Sequence, residues 1–489
     1  MDNKSVAIIG AGVSGLAACK HLLERGCRPV VFEADTVVGG VWAHTPDCTR
    51  LQTERTMYQY TDFPWPDSVT EEFPNNRQVA AYLNAYARRF GVLECIRFGH
   101  RVAGMEYVGV ADEEVAAWDE WAGCADAFGS GNGKWRLTVA DAQGQVKVHM
   151  SDFVILCIGR FSNVPNIPKL PPGKGPEAFD GKVIHSMDYS KMGSQKGTEK
   201  PCTMVVRTKQ WVLLDFYAWG IDISKLYLTR FGELLIHKPG EGLFLSLLAT
   251  ILTPLKLIFS KFAESYYSIT MKKHDMVPDH SFFEGMVGCW VELAPKDHYK
   301  NLEEGSILVE KSKTFSFCKE GVMVEGESTL VKSDIVIFGT GFNGDQNIKS
   351  MFTSKYFQSI LIGSTSMTLS LYRDCVHPNI PQLAVIGYSE SYANLHTSEL
   401  RAKWLAHFMD GGFRLPSIKA MHRDVLEWEK FMKRYSHGEF HAFCIGLLNN
   451  WYKDNLCRDM GCNPRRKNGI FAELFEVYGP SDYIDLHPK

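Results

Sequence analysis

The sequence predicts an α/β protein of two interleaved domains, and three observations predict it. Residues 6–33 read as strand, glycine turn, helix and strand. A strongly apolar strand that runs into glycine occurs twice, at 153–159 and 334–342, which marks two crossings between one domain and another inserted into it. At 489 residues the chain is too long for one small core, while 45% hydrophobic and 22% charged residues are ordinary for a globular protein.

The first element is the apolar strand Val6 to Ile9, followed by Gly10-Ala11-Gly12-Val13-Ser14-Gly15 and an apolar helix. Gly10 makes a tight turn, Gly12 lets backbone approach a pyrophosphate, and Gly15 lets the helix pack on the strand. The helix N-terminus adds free N–H groups and a partial positive charge for the phosphates. The next strand, Val30-Val31-Phe32, ends in Glu33, 18 residues beyond Gly15. That is close to the roughly 20 expected for a carboxylate that holds a ribose hydroxyl. The stretch therefore predicts a dinucleotide site, and Glu33 favours FAD or NAD over NADP.

Further along, Gly39-Gly40-Val41-Trp42 forms a loop near the flavin end of such a cofactor, and 51–66 is rich in aromatic residues. Residues 111–134 read as an acidic, glycine-bearing loop. Trp135 to Ala140 and Val146 to His149 alternate across Asp141-Ala142-Gln143-Gly144, a hairpin signature. The strand Phe153 to Ile158 ends in Gly159, and its near copy from Asp334 ends in Gly339-Thr340-Gly341-Phe342. Leu383 to Gly387 is a last strand, and a helix from Ser398 to Phe408 starts where it could face the flavin.

Composition excludes several classes. A net charge of −3 gives nucleic acid no electrostatic hold, and Arg465-Arg466-Lys467 reads as a solvated turn after Pro464. The thirteen cysteines are scattered without a CxxC, which predicts reduced thiols and a cytoplasmic location. A strand beginning within about five residues of Met1 leaves no room for a signal peptide. Cys457 and Cys462 are spaced CxxxxC but lie far from the glycine fingerprint. No metal-ligand set is expected. Residues 243–259 are apolar but hold Ser246, Thr250, Thr253, Pro254 and Lys256, which falls short of the ~20 apolar residues of a span. A helix packed against the protein is the plain reading, and a helix touching a membrane or shaping a substrate entrance is the alternative.

Phe179-Asp180-Gly181-Lys182-Val183-Ile184-His185-Ser186-Met187-Asp188-Tyr189 fits FxGxxxHxxxY. That pattern resembles the identifying motif of the flavin-containing monooxygenases and the related Baeyer–Villiger enzymes. Segments such as 385–401 are most similar to the plant branch of the family. The resemblance implies a cycle in which NADPH reduces FAD and O2 adds to give a C4a-hydroperoxyflavin. One oxygen then passes to a soft nitrogen or sulfur of a small molecule. It implies no catalytic side chain, since the flavin carries the oxygen, and a structural role for His185. The implied cofactor-binding residues are Gly10, Ala11, Gly12, Val13, Ser14, Gly15, Glu33, Gly40, Val41, Trp42, Thr53, Gly159, Arg207 and Gly341.

The chain departs from the family after Tyr189. A second glycine fingerprint, for NADPH, belongs there, yet only eleven residues separate Tyr189 from Pro201 and no GxGxxG or GxGxxA occurs over 190–333. A strand of about five residues plus a phosphate loop and a helix of at least ~10 do not fit. The expectation is a flavin domain of 1–190 plus 335–489 around an inserted, truncated NADPH domain of 191–334. Its surviving second strand is Thr203 to Arg207. A splice variant, a gene-model gap and a true deletion would all produce this. Arg207, Thr208 and Lys209 either reach the 2′-phosphate of the adenosine or form a solvated strand end. Glu54, where many members have Asn, either marks a preference for an amine or faces solvent.

Two functions follow from different classes. One is an FAD- and NADPH-dependent monooxygenase of an amine, amino acid or sulfide, with N-hydroxylation of a small cyclic amino acid ahead of decarboxylating oxygenation. The other is an FAD-binding isoform, catalytically impaired, with a regulatory or structural role. A two-dinucleotide disulfide reductase is disfavoured, because no CxxC or CxxxxC follows the fingerprint.

Overall fold

The computed structural model describes residues 4–117, 133–161, 164–196, 201–324, 330–361, 369–435 and 444–486. The chain runs through β1 (Ser5–Ile9), α1 (Val13–Leu23), β2 (Arg28–Phe32), β3 (Ile96–Arg97) and β4 (Phe153–Leu156). After these come β5 (Lys182–His185), β6 (Cys202–Val206), α2 (Leu243–Ile251), α3 (Thr253–Lys273), β7 (Ile307–Lys311), β8 (Ile335–Phe338), β9 (Leu383–Val385) and α4 (Asn394–Met409).

Five of these strands form one all-parallel sheet in the order β9-β4-β1-β2-β3. Its central strands are apolar on both faces because both are covered, as parallel sheets require. One core layer joins α1, α4 and the aromatic segment, and the other joins the sheet to the hairpin at 134–151. The expected hairpin is present, with Lys134–Ala140 paired to Val146–Ser151.

The rest of the parallel structure is fragmentary. β6 pairs only with β7, and β5 only with β8, each as a separate two-stranded parallel ladder among the described residues. After β5 the chain winds as a 3-10 helix over Ser186–Lys196 and then enters β6. Among the described residues no strand–loop–helix unit lies between β5 and β6. Met204 and Val205 of β6 and Leu308 of β7 stand exposed. A third core cluster, built on Trp211, Leu213, Tyr267 and Phe282, is completed by Phe431, Met432, Tyr435 and Leu447 from the C-terminal part of the chain.

Four expectations are corrected. The loop read at 111–134 includes a helix, Asp112–Ala116, with three acids in its first turn that favour the positive helix end; residues 118–132 lie outside the described residues. The helix expected from Ser398 starts at Asn394. Residues 243–259 do not form a helix packed against the protein: α2 and α3 meet at a 49° bend, and α2 is largely exposed. Pro254 supplies no N–H at the start of α3, so the hydrogen-bond ladder restarts there. Finally, Cys289 and Cys444 form a disulfide, where reduced thiols were expected throughout. The partners are 155 residues apart, and only tertiary folding brings the turn after the helix Phe282–Val287 to the segment beside Glu390.

Candidate cofactor site

The glycine turn lies between β1 and α1, and its geometry explains its composition. Gly10 has φ +104°, and a Cβ there would sit 2.5 Å from the Cys157 carbonyl oxygen. A Cβ on Gly15 would sit 1.9 Å from the Gly10 carbonyl oxygen, so nothing larger than glycine lets α1 approach the turn. Gly12 caps α1, whose first-turn amides have no acceptor within the helix. Across from it lies Gly40, its virtual Cβ 3.1 Å from the Gly12 Cα. The turn and the 39–42 loop are therefore packed backbone to backbone, and the Gly39 amide donates to the Ala11 carbonyl at 3.1 Å.

Glu33 is held at the end of β2 by two backbone donors: the Ala11 amide at 2.6 Å to one carboxylate oxygen and the Asp35 amide at 2.9 Å to the other. Its carboxylate thus belongs to the turn itself. Val41 is exposed beside it, and the Trp42 indole donates to the Tyr58 hydroxyl at 2.9 Å. Burial pushes the Tyr58 hydroxyl up to about 12, so it stays protonated. The aromatic segment also fixes α1, because the Tyr60 hydroxyl donates to the Val13 carbonyl at 2.8 Å. Ser14 faces Gly387, the residue two past β9, where a Cβ would stand 2.0 Å from the Ser14 Oγ. Thr53 donates to the Tyr392 carbonyl at 2.9 Å.

Gly10, Ala11, Gly12, Val13, Ser14, Gly15, Glu33, Gly40, Val41 and Trp42 are thus brought together around one turn. Gly159 (φ +69°) follows β4 as Gly341 (φ +76°) follows β8. The two segments touch through the antiparallel bridge between Pro165 and Phe342. Here His185 has its place: Nε2 donates to the Gly341 carbonyl at 3.0 Å, Nδ1 accepts the Met187 amide at 3.3 Å, and the ring is buried against Phe342. Both ring nitrogens are occupied by backbone, which suits a structural clasp. Phe179 packs with Phe317 and Phe338, and a Cβ on Gly181 would meet the Asp334 carbonyl at 2.6 Å. Arg207 is separate, exposed at the end of β6 in the isolated ladder, and its neighbour Lys209 pairs with Asp275 at 2.7 Å. Gly387 is the contact missing from the expected set; its signal was the glycine that follows the strand, as at Gly159.

Residues 3–200 and 198–465 match the model of the flavin-binding monooxygenase-like family. The chain belongs to that family. The match to the flavin-binding monooxygenases comes in two pieces that overlap at 198–200. The chain is 34% identical to the probable flavin-containing monooxygenase 1 of Arabidopsis thaliana, over 99% of this chain and 96% of that protein. That alignment spans 523 positions against 489 residues here, so the relative carries residues that this chain lacks. Flavin-containing monooxygenase 5 of Oryctolagus cuniculus is 26% identical over 90% of this chain and 80% of its own length.

Among solved structures, OTEMO in complex with FAD and NADP superposes with a TM-score of 0.64 at 17% identity, covering 94% of this chain and 98% of that one. S-allyl-L-cysteine S-oxygenase of Allium sativum superposes at 0.58 and 18%, covering 94% and 89%. This flavin-binding monooxygenase is a plant-type oxidoreductase of that family. The glycine turn fits FAD: at Gly10, Gly15 and Gly40 a Cβ would strike the backbone that shapes it. No second glycine cradle of this kind occurs among the described residues.

Proposed function

We propose that the flavin site oxygenates a soft nucleophile, the nitrogen or sulfur of an amine, amino acid or sulfide. The observation that carries this reading is the complete turn of residues 10–15 with Glu33 fastened to it, in a chain of this family. Bound FAD supplies the oxygen chemistry. In this reading the α1 amides hold its pyrophosphate, Glu33 its ribose, and the 40–42 loop and Thr53 border its flavin end. Gly159 and Gly341 lie where the two parts of the chain cross. The division into a flavin domain of 1–190 plus 335–489 and an insert of 191–334 belongs to the same proposal.

Glu54 supports an amine. It is half-buried, and burial with the nearby Glu72 and Asp222 carboxylates holds its carboxyl above the usual range. A protonated nitrogen would relieve that repulsion. Tyr392 and Phe216 meet edge to face at the same place and offer apolar walls.

A second reading is favoured by the missing strand–loop–helix unit: an FAD-binding, catalytically impaired isoform with a regulatory or structural role. Without the pyrophosphate loop NADPH loses its main anchor, and Arg207 alone cannot position the nicotinamide. Anaerobic titration of the yellow protein with NADPH separates the two. Rapid bleaching of the flavin absorbance supports an active monooxygenase. A flavin that dithionite bleaches and NADPH does not supports the impaired isoform.

We also infer a membrane contact through α2 that does not span. No single helix among the described residues is long and apolar enough to cross a membrane, and the bent α2–α3 pair meets that test only jointly. Leu243 is 92% and Phe244 77% exposed, and α2 carries no charge. Such a face suits the interfacial zone of a bilayer. Flotation with phospholipid vesicles tests it: Leu243→Ser with Phe244→Ser should abolish co-flotation, and absence of the wild type from the vesicle fraction would refute the contact.

A further inference from the structure

The one disulfide among the described residues joins parts of the chain that the backbone keeps far apart, Cys289 and Cys444. Cys289 lies two residues past the helix Phe282–Val287, and Cys444 opens the segment that leads into the 3-10 turn Gly446–Leu448. That segment is held between two neighbours. On one side Cys444 bridges Glu390, and the Ile445 amide donates to the Glu390 carbonyl at 2.8 Å. On the other, Gly446 has φ +50°, and a Cβ there would sit 2.5 Å from the Val287 carbonyl oxygen. Residues 444–446 thus link the turn at 287–289 to the stretch around Glu390.

That stretch touches the glycine turn. Three residues before Glu390, Gly387 meets Ser14. Two residues after it, the Tyr392 carbonyl accepts from Thr53 at 2.9 Å, and the Tyr392 ring meets Phe216 edge to face at 5.7 Å. Whatever holds 444–446 in place therefore also steadies 387–392 against Ser14 and Thr53.

Three features suit a bond that opens and closes. Cys444 is buried whereas Cys289 is partly exposed, so one sulfur lies within reach of an attacking thiolate. The Cys444 sulfur stands 3.1 Å from the Val287 carbonyl oxygen. Bonded to Cys289 it has no proton to give; as a thiol it has an acceptor already in place. Cys289 has φ +57°, a left-handed conformation that a non-glycine residue keeps only while its surroundings impose it, and the bond to Cys444 is part of that constraint.

We propose that Cys289–Cys444 is a redox latch, opened by a dithiol, that sets how firmly residues 387–394 are held against the glycine turn. A thiolate of the dithiol attacks the Cys289 sulfur. A new S–S bond forms there, the Cys289–Cys444 bond breaks, and the Cys444 sulfur leaves, takes up a proton and donates to the Val287 carbonyl. The second thiolate of the dithiol then attacks the dithiol's own sulfur in the mixed disulfide. That step closes the dithiol into a disulfide and releases Cys289, which is protonated. Two electrons and two protons pass from the dithiol to the protein. Once untied, the turn at Cys289 relaxes, and 444–446 loses its hold on Glu390.

The test uses the FAD-loaded wild-type protein, with dithiothreitol as the dithiol. A peptide map made without reductant should show Cys289 joined to Cys444. Dithiothreitol under native conditions should free both for alkylation by iodoacetamide. Hydrogen exchange read by mass spectrometry should then quicken by about tenfold at Ile445 and over 387–394, with β4 unchanged. Cys289→Ser should show the faster exchange without dithiothreitol and no further change with it. A bond missing from the map, a bond that opens only after the protein unfolds, or exchange that is equal in the two states overturns the proposal. Should the variant not fold, the wild-type comparison decides alone. The readout needs no turnover, so it stands whether or not NADPH reduces the flavin.

Discussion

The two parallel regions of this molecule are built from similar strands yet end differently. Around β1 every strand has its partner, and Val154 in β4 is fully buried between β1 and β9. Around β6 the ladder stops after one pairing, and Val205 stands 38% exposed. The composition of the strands does not decide this; the presence of the neighbouring strand does. An apolar β-strand is only half of a structural statement; the neighbour that covers it is the other half.

The largest expected effect tests the intact side. Gly15→Ala places a methyl group against the Gly10 carbonyl and forces the turn and α1 apart. It should cost about 3 kcal/mol or more as overpacking and strip FAD from the purified protein, read as loss of the 450 nm band. An alanine variant that keeps full FAD would break the account of the cradle. Next, Val154→Ala should lower stability by about 2 kcal/mol through the cavity it leaves, while Val205→Ala should stay within about 0.5 kcal/mol. Urea denaturation measures both, and equal losses would show that the two ladders are not as different as their burial indicates.

Lys453 probes the contact between the regions. It is fully buried on the helix Asn449–Asp459, which packs on α4 and on the insert's helix Arg230–Leu234. Its Nζ has no hydrogen-bond partner among the described residues, and burial pushes it down to about 7. Between there and the unfolded value near 10.4 the unfolded chain holds the extra proton, so stability should rise with pH across that window. Lys453→Met should flatten the rise and raise the melting temperature at pH 7. A steeper rise in the variant would refute the assignment. The smallest effect belongs to Arg207: with no pyrophosphate loop beside it, Arg207→Ala should change NADPH affinity by less than about twofold, too little to register against the tenfold that 1.4 kcal/mol represents. Calorimetry that finds micromolar NADPH binding in the wild type would overturn the truncation argument.

The first nucleotide unit was legible in the sequence because its constraints are local. Gly10, Gly12, Gly15 and Glu33 lie within one βαβ unit, and the spacing carries the geometry. The short connection after Tyr189 was legible for the same reason, since eleven residues cannot hold a strand, a loop and a helix. What escaped depends on distant partners. Leu243 to Ile251 are apolar on nearly every side, so no periodicity distinguishes a buried helix from an exposed one. The Cys289–Cys444 bond spans 155 residues with no motif at either end, and Gly387 meets Ser14 only after β9 joins the sheet. The helix of α4 begins four residues earlier than expected, with Asn394-Leu395-His396-Thr397.

The core of the insert has a consequence for synthesis. Trp211, Leu213 and Phe282 bury themselves partly against Phe431, Met432, Tyr435 and Leu447, which are synthesised well after them. Until then the growing chain carries an uncovered apolar surface, with long-range closure still ahead of it. The cluster around Trp211 therefore closes only after those later residues emerge, and until then a chaperone has an apolar face to hold.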